Sequence, residues 1–217
     1  MGLRLMGILD AARRPLRDLA IFVIGFAAMW TADVILAWRL GLLPEPARPW
    51  LRTALWIGAV GVWIGWQRIP APARWLGLAP VSRGQAICAV IAFASIIAGN
   101  VLRIGLGGLP VDRLAVATPS VLAWSLVGVF VEELVFRGVV QTRLAEHFAA
   151  PLAIVVAAAL FLLIHVPGWA ILAIPTDPRT ALSIFLIGAI CGGLRHWSGS
   201  LWPAVAAHWA NNLGAML

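Results

Sequence analysis

The sequence predicts an all-α protein embedded in a membrane, a polytopic transmembrane bundle of about seven spans. Three observations predict it. Of 217 residues, 62% are hydrophobic and only 12% are charged, roughly half the charged share of a soluble domain. Mean hydropathy is +0.94, and a chain so apolar has ample surface to bury, which excludes disorder. The apolar residues also fall in runs of spanning length, for which about 20 residues are needed and about 17 suffice. The length suits one integral-membrane domain over residues 1–217.

The elements follow in order. A tail from Met1 to Asp18 carries Arg4, Arg13, Arg14 and Arg17, then a run extends from about Leu19 to Trp38. It reads as a signal anchor rather than a cleaved peptide, being long and followed by further spans. The next runs lie at about Leu51–Trp66, Ala86–Leu102, Val121–Val140, Pro151–Val166, Ala181–Leu194 and Leu201–Met216. The sixth is short and is expected to lean on its neighbours. Pro- and Gly-bearing stretches at Pro44–Pro49, Pro70–Pro80, Gly107–Pro110 and Pro167–Pro178 separate the runs. No internal repeat is evident, so the sequence gives no support to an inverted-repeat transporter.

All 16 basic residues are Arg, and the net charge is +7. In a soluble chain such a balance would suggest nucleic acid. Here the Arg residues flank apolar runs, where they meet lipid phosphates, and several of the 12 Trp (Trp38, Trp50, Trp66, Trp75, Trp169, Trp197, Trp202) gather near run ends as an interfacial belt does. The implied partner is the lipid bilayer and not nucleic acid. With the N-terminus in the cytoplasm, the inner side holds Arg4, Arg13, Arg14, Arg17, Arg68, Arg74, Arg83, Arg143 and Arg195; the outer side holds Arg39, Arg48, Arg52, Arg103, Arg113 and Arg179. The inner excess favours that orientation. Cys88 and Cys191 are far apart, each inside an apolar run, and read as buried bystanders.

An ionised side chain at mid-bilayer costs about 3 kcal/mol, so the informative residues are the polar ones inside apolar runs. The fourth run contains Glu132, Glu133 and Arg137. Glu133 and Arg137 are spaced for an intrahelical ion pair, which reads as structural. Glu132 sits about 100° away around a helix and is expected to face elsewhere without a local partner, its basicity raised as a general base requires. The fifth run ends with Phe161 and His165, one turn apart; taken alone, such a His is more often a packing or interfacial residue. In the seventh, His208 and Asn212 share one face. A carboxylate, imidazoles and an amide from three helices could converge in a bundle core, each lowering the others' burial cost. Asp33 reads as a packing residue, Asn100 and Arg103 as interfacial, and His147 and His196 as solvated.

These residues resemble three motifs of the CPBP family of intramembrane proteases, also called the ABI or CAAX prenyl endopeptidase family. EExxxR is Glu132, Glu133 and Arg137; FxxxH is Phe161 and His165; HxxxN is His208 and Asn212, preceded by Gly199, Ser200 and Leu201. The motifs lie in order on separate apolar runs, so the catalytic core falls within about residues 119–217. The resemblance implies the CAAX prenyl endopeptidase fold and hydrolysis of a peptide bond in a membrane-embedded or membrane-tethered peptide or protein. By that analogy Glu132 and His165 position and activate a water, His208 and Asn212 stabilise the oxyanion, and Glu133 with Arg137 supports the base. The family has been described both as metallo-type and as glutamate-type. Zinc would draw on Glu132, His165 and His208, although HExxH is absent and Asn212 is a poor zinc ligand; the cofactor expectation is therefore none or zinc.

A second reading makes the same polar cluster the relay of a transporter or of a proton or ion channel, which would string titratable groups along a path rather than gather them with an Asn. A composition rich in Ala, Arg and Trp without Lys points to a high-GC bacterial genome. It implies a bacterial inner membrane, and a membrane-tethered peptide or sorting tail in preference to a farnesylated substrate.

Overall fold

In the computed structural model, which describes residues 2–107 and 118–216, each of the seven apolar runs forms a helix. Arg113 and residues 108–110 of the third punctuation stretch lie outside the described residues, as do the side chains of Arg4, Arg13 and Arg14. The helices are α1 (Gly2–Asp33), α2 (Arg48–Gln67), a short α3 (Pro72–Trp75), α4 (Arg83–Gly107), α5 (Pro119–Glu133), a short α6 (Thr142–Ala145), α7 (Ala150–Leu163), α8 (Val166–Ile171), α9 (Pro178–Ser198) and α10 (Trp202–Met216). No strand occurs among the described residues.

Two helices continue in π-helical form: Val34–Arg39 extends α1, and Leu134–Gln141 joins α5 to α6. Such wide turns usually occur at functional sites. The second begins immediately after Glu133. Thr118 caps α5 by accepting from the Val121 amide, and Asp177 caps α9 by accepting from Thr180 N–H at 2.7 Å. Gly199, at φ +66°, ends α9 in the left-handed conformation a side chain disfavours.

Five segments are long and apolar enough to cross a membrane: Pro15–Arg39, Arg83–Leu106, Pro119–Ala145, Ala150–Ile171 and Pro178–Ser198. The sixth run, expected to be short, is the 21-residue α9, because the Asp177 cap starts it early and Arg195 and His196 continue it. The short helix is the seventh, α10, with 15 residues, or about 22 Å at 1.5 Å per residue. The 20-residue α2 is long enough, but Arg48, Arg52 and four Trp dilute its apolarity.

A polar network ties one end of the bundle together. Gln67 donates to Asp18, Arg143 to Gln67 and Glu146, Trp75 to Glu146, and Arg195 to the Trp75 carbonyl and the Thr142 hydroxyl. Gln85 donates to the Ser198 carbonyl at the same end. There Gly77, at φ +78°, accepts from Leu201 N–H at 2.9 Å, and a Cβ on it would meet the Arg195 guanidinium at 2.8 Å. The loop is thereby seated on the α9–α10 junction.

α4 and α10 run parallel, since Phe93 pairs with Trp209 (centroids 5.7 Å apart) and Asn100 occupies the space that a Gly214 Cβ would need. Asn100 therefore packs against α10. Its side chain packs between helices and donates to the Ile96 carbonyl at 3.0 Å, which satisfies its amide within α4. His147 and His196 are exposed, and Cys191 is buried, donating to the Ala204 carbonyl.

The core that carries the site is aromatic. Phe26, Trp56, Phe136 and Phe161 form an edge-to-face chain with centroids 4.7 to 6.5 Å apart, a geometry that adds to plain area burial. It runs from α1 and α2 through the π stretch to α7 and sets the depth at which the polar groups sit.

Candidate active site

The polar cluster is built from the α5–π segment, the end of α7 and the middle of α10. Glu133 and Arg137 are both fully buried and pair at 2.9 Å, as their spacing predicts. The pair has further partners, although Glu133 Oε2 and Arg137 Nε are buried without one. Arg137 Nη2 donates to the Gly188 carbonyl at 2.9 Å, and its guanidinium lies 4.5 Å from the Phe161 ring centroid. Gly188 permits this approach, because a Cβ there would meet Arg137 Nη2 at 3.2 Å.

His208 is the third partner. Its Nδ1 lies 2.8 Å from Glu133 Oε1. The acceptor is a carboxylate oxygen, so Nδ1 carries the hydrogen, and Glu133 fixes the tautomer and the ring plane. The other ring nitrogen, Nε2, then faces Glu132 Oε2 at 3.7 Å. Glu133 Oε1 thus serves Arg137 and His208 together.

Glu132 was expected to face elsewhere without a local partner; its partners come from other helices. Arg52, in the first turns of α2, pairs with Glu132 Oε1. Counted from sequence as an outer-side topology residue, Arg52 instead reaches into the bundle, its guanidinium stacked over Trp30 and Trp56 at 5.3 and 5.0 Å. The only signal available in the sequence was an Arg placed just inside an apolar, Trp-rich run.

His165 sits at the junction of α7 and α8, where Pro167 follows and the turn tightens, His165 N–H donating to the Leu162 carbonyl, while the backbone keeps right-handed helical angles. Its Nδ1 donates to the Phe161 carbonyl at 2.8 Å, leaving Nε2 as an acceptor. Trp30 holds the same junction by donating to the Ile164 carbonyl at 3.0 Å. The Phe161 ring stands edge-on to both His165 and His208, with centroids 5.0 and 5.4 Å apart. Glu132, His165 and Arg52 line one cavity of about 320 Å3, walled by Trp30, Trp56 and Trp169.

Asn212 stands one turn beyond His208 on α10, half-buried, and its side chain makes no hydrogen bond among the described residues. Nor do any three His, Cys, Asp or Glu side chains among the described residues form a metal-binding group. Arg52 occupies one oxygen of Glu132, whereas the Glu133 contact on His208 Nδ1 and the Phe161 contact on His165 Nδ1 leave both Nε2 lone pairs free. The geometry offers instead a carboxylate and an imidazole acceptor on a wet hollow, with a second, carboxylate-oriented imidazole beside them. That arrangement is suited to moving a water proton.

Neither the curated proteins nor the solved structures contain a match to the chain. Residues 114–214 match the family model described as type II CAAX prenyl endopeptidase Rce1-like. That stretch holds Glu132, Glu133, Arg137, Phe161, His165, His208 and Asn212, and over it the chain is similar to the CPBP/CAAX protease family of intramembrane endopeptidases.

Proposed function

We propose that Glu132 and His165 activate the hydrolytic water and that His208, with Asn212, stabilises the oxyanion. The observation that carries this reading is the shared cavity: Glu132 and His165 face the same 320 Å3 hollow, and His208 Nε2 is 3.7 Å from Glu132. Water between them donates one proton to Glu132 Oε2 or His165 Nε2 as its oxygen attacks the peptide carbonyl. The proton then passes to the leaving amine, so the base is regenerated as the bond breaks. The Asn212 amide supplies a donor for the oxygen that becomes negative, and His208, its Nδ1 held by Glu133, supplies a second from Nε2 in the doubly protonated form; such donors are often the largest single contribution to the rate. Glu133 acts through His208 and Arg137 holds Glu133; both are positioning residues.

Glu132 and His165 share one hollow and His208 adjoins Glu132, a cluster rather than a string along a path, which favours hydrolysis over a transport relay. We further propose that residues 1–217 act as one membrane-embedded unit, with its catalytic core within about 119–217. The substrate is a membrane-embedded or membrane-tethered peptide. The setting is a bacterial inner membrane with the N-terminus in the cytoplasm, which turns the Arg52–Trp38 end to the opposite side.

The test compares the peptides of membranes carrying the wild-type chain with those carrying Glu132→Ala. A defined set of cleavage products should vanish in the variant, and His165→Ala should remove the same set while the protein still inserts. Normal cleavage by both variants would refute the assignment.

A further inference from the structure

Arg52 and Trp38 line the site cavity on one side and a second cavity, of about 420 Å3, on the other. Thr53 on α2 and Val121, Ser125 and Gly128 on α5 line the second one. Val121, Ser125, Gly128 and Glu132 are spaced i, i+4, i+7 and i+11, so they share one face of α5. The second cavity therefore continues the hollow that reaches Glu132. From Val121 to Glu132 this face runs about 16 Å, the length of roughly five residues of extended peptide. At its far end Trp50 and Trp124 join α2 to α5, edge to face with centroids 4.4 Å apart.

Three features define what fits there. Arg52 Nε and Ser125 Oγ are buried donors without an acceptor. A membrane-embedded helix must open before it is cut, and the carbonyls so freed need donors. The hollow is also close to neutral: Arg52 is already paired with Glu132, and no other charged side chain lines it among the described residues. Finally, it has room beside apolar walls, since a Cβ on Gly128 would meet nothing within 4 Å and Trp38 and Trp124 flank the space. A neutral, aromatic-walled hollow with a few donors suits a large uncharged side chain.

We propose that this cavity is a substrate subsite that takes a large apolar side chain of the peptide, and that Gly128 sets how large. The proposal rests on the reading of Glu132 and His165 as the site of hydrolysis. Gly128 stands one turn, about 6 Å, from Glu132, so the side chain it admits lies about two residues from the bond to be cut. Arg52 Nε and Ser125 Oγ hold a carbonyl of the same stretch and seat the chain along α5.

The test uses a peptide spanning a site that wild-type membranes cut, with each residue within three of the bond replaced in turn by Ala, Leu and Phe. At one position the wild-type chain should favour Leu or Phe over Ala by at least about tenfold in kcat/KM. Gly128→Leu fills the hollow from α5 and Thr53→Leu fills it from α2; each should reverse the order at that position and at no other. A general disturbance would slow all peptides alike. That result, or unchanged preferences in both variants, overturns the proposal. A lipid in the hollow would show as less copurifying phospholipid in Gly128→Leu with peptide preferences unaltered, and overturns it too.

A second arm needs no cleavage. In detergent, the Ala and Phe peptides are titrated against the Trp fluorescence of Glu132→Gln. The Phe peptide should bind about tenfold tighter, and adding Gly128→Leu should erase the difference; equal binding by Glu132→Gln overturns the subsite. Cleavage retained by Glu132→Gln would instead remove the base assignment, with the order of the peptides still deciding the subsite.

Discussion

Replacing Arg137 with Met tests how far the buried ion pair supports the site. The substitution keeps most of the side-chain volume but leaves Glu133 at zero exposure without its cation. It also strips the Gly188 carbonyl of its donor and the Phe161 ring of the guanidinium 4.5 Å away. Removing one partner of a buried pair costs about 3–5 kcal/mol, and the lost hydrogen bond adds about 1 kcal/mol. His208 Nδ1 still donates to Glu133 Oε1 at 2.8 Å, which keeps the total toward the lower end, about 4 kcal/mol. For a chain of this size that lowers the midpoint by roughly 10 °C. The assay is thermal unfolding in detergent, with Glu133→Gln/Arg137→Met run in parallel. The double variant has no unpaired charge and keeps an acceptor for His208, so it should regain at least half the loss. If Arg137→Met shifts the midpoint by less than about 2 °C, or the double variant is as unstable as the sum of the singles, the pair is not what holds this region.

The other outcomes are smaller and more local. A Cβ on Gly192 would lie 2.8 Å from Gln141 Oε1 and 2.9 Å from Ile154 Cγ2, whereas one on Gly188 would stand 3.2 Å from its neighbours. Gly192→Ala should thus lower the midpoint more than Gly188→Ala, by about 1–3 kcal/mol of overpacking, because the Gln141 amide is tied to the Gly192 carbonyl and cannot swing away. Asp177 lies outside the spanning segments, and the Thr180 N–H it accepts holds its carboxyl below the ordinary range. Its cap is therefore fully present above the unfolded carboxylate value and is lost only as pH falls through the lowered folded one. Hydrogen exchange at the Thr180 amide should accelerate in strongly acid solution and at all pH values in Asp177→Ala; acceleration beginning near neutrality would contradict the assignment.

Much of the bundle could be read from hydropathy alone, since every apolar run became a helix and charge within a run marked the core of the site. Glu133–Arg137 was visible because i,i+4 spacing is a local property. Arg52 was not, because its partner Glu132 lies on another helix and nothing local separates an Arg that meets lipid phosphate from one that turns inward. The packing of Asn100 was hidden for the same reason, as the Gly214 that makes room for it belongs to α10. The π stretch Leu134–Gln141 carries no break residue ahead of its wide turn, so the sequence there reads as continuous helix. The apparent lengths of the last two spans were misjudged because a cap, rather than hydropathy, sets where α9 begins.

The wide turn after Glu133 makes residue number as constrained as residue identity. Between Leu134 and Gln141 the backbone is π-helical, taking up more residues in each turn than an α-helix does. Removing any one residue there would let the coil tighten to ordinary pitch and swing all that follows by about 100° relative to Glu132 and Glu133. Gln141 would then lose the Gly192 carbonyl, and Arg143 would lose Gln67 at the far end. A one-residue deletion in this stretch should therefore disable the protein even if every motif letter survives, whereas an equal deletion in the 41–44 loop would leave the carboxylates facing the same way.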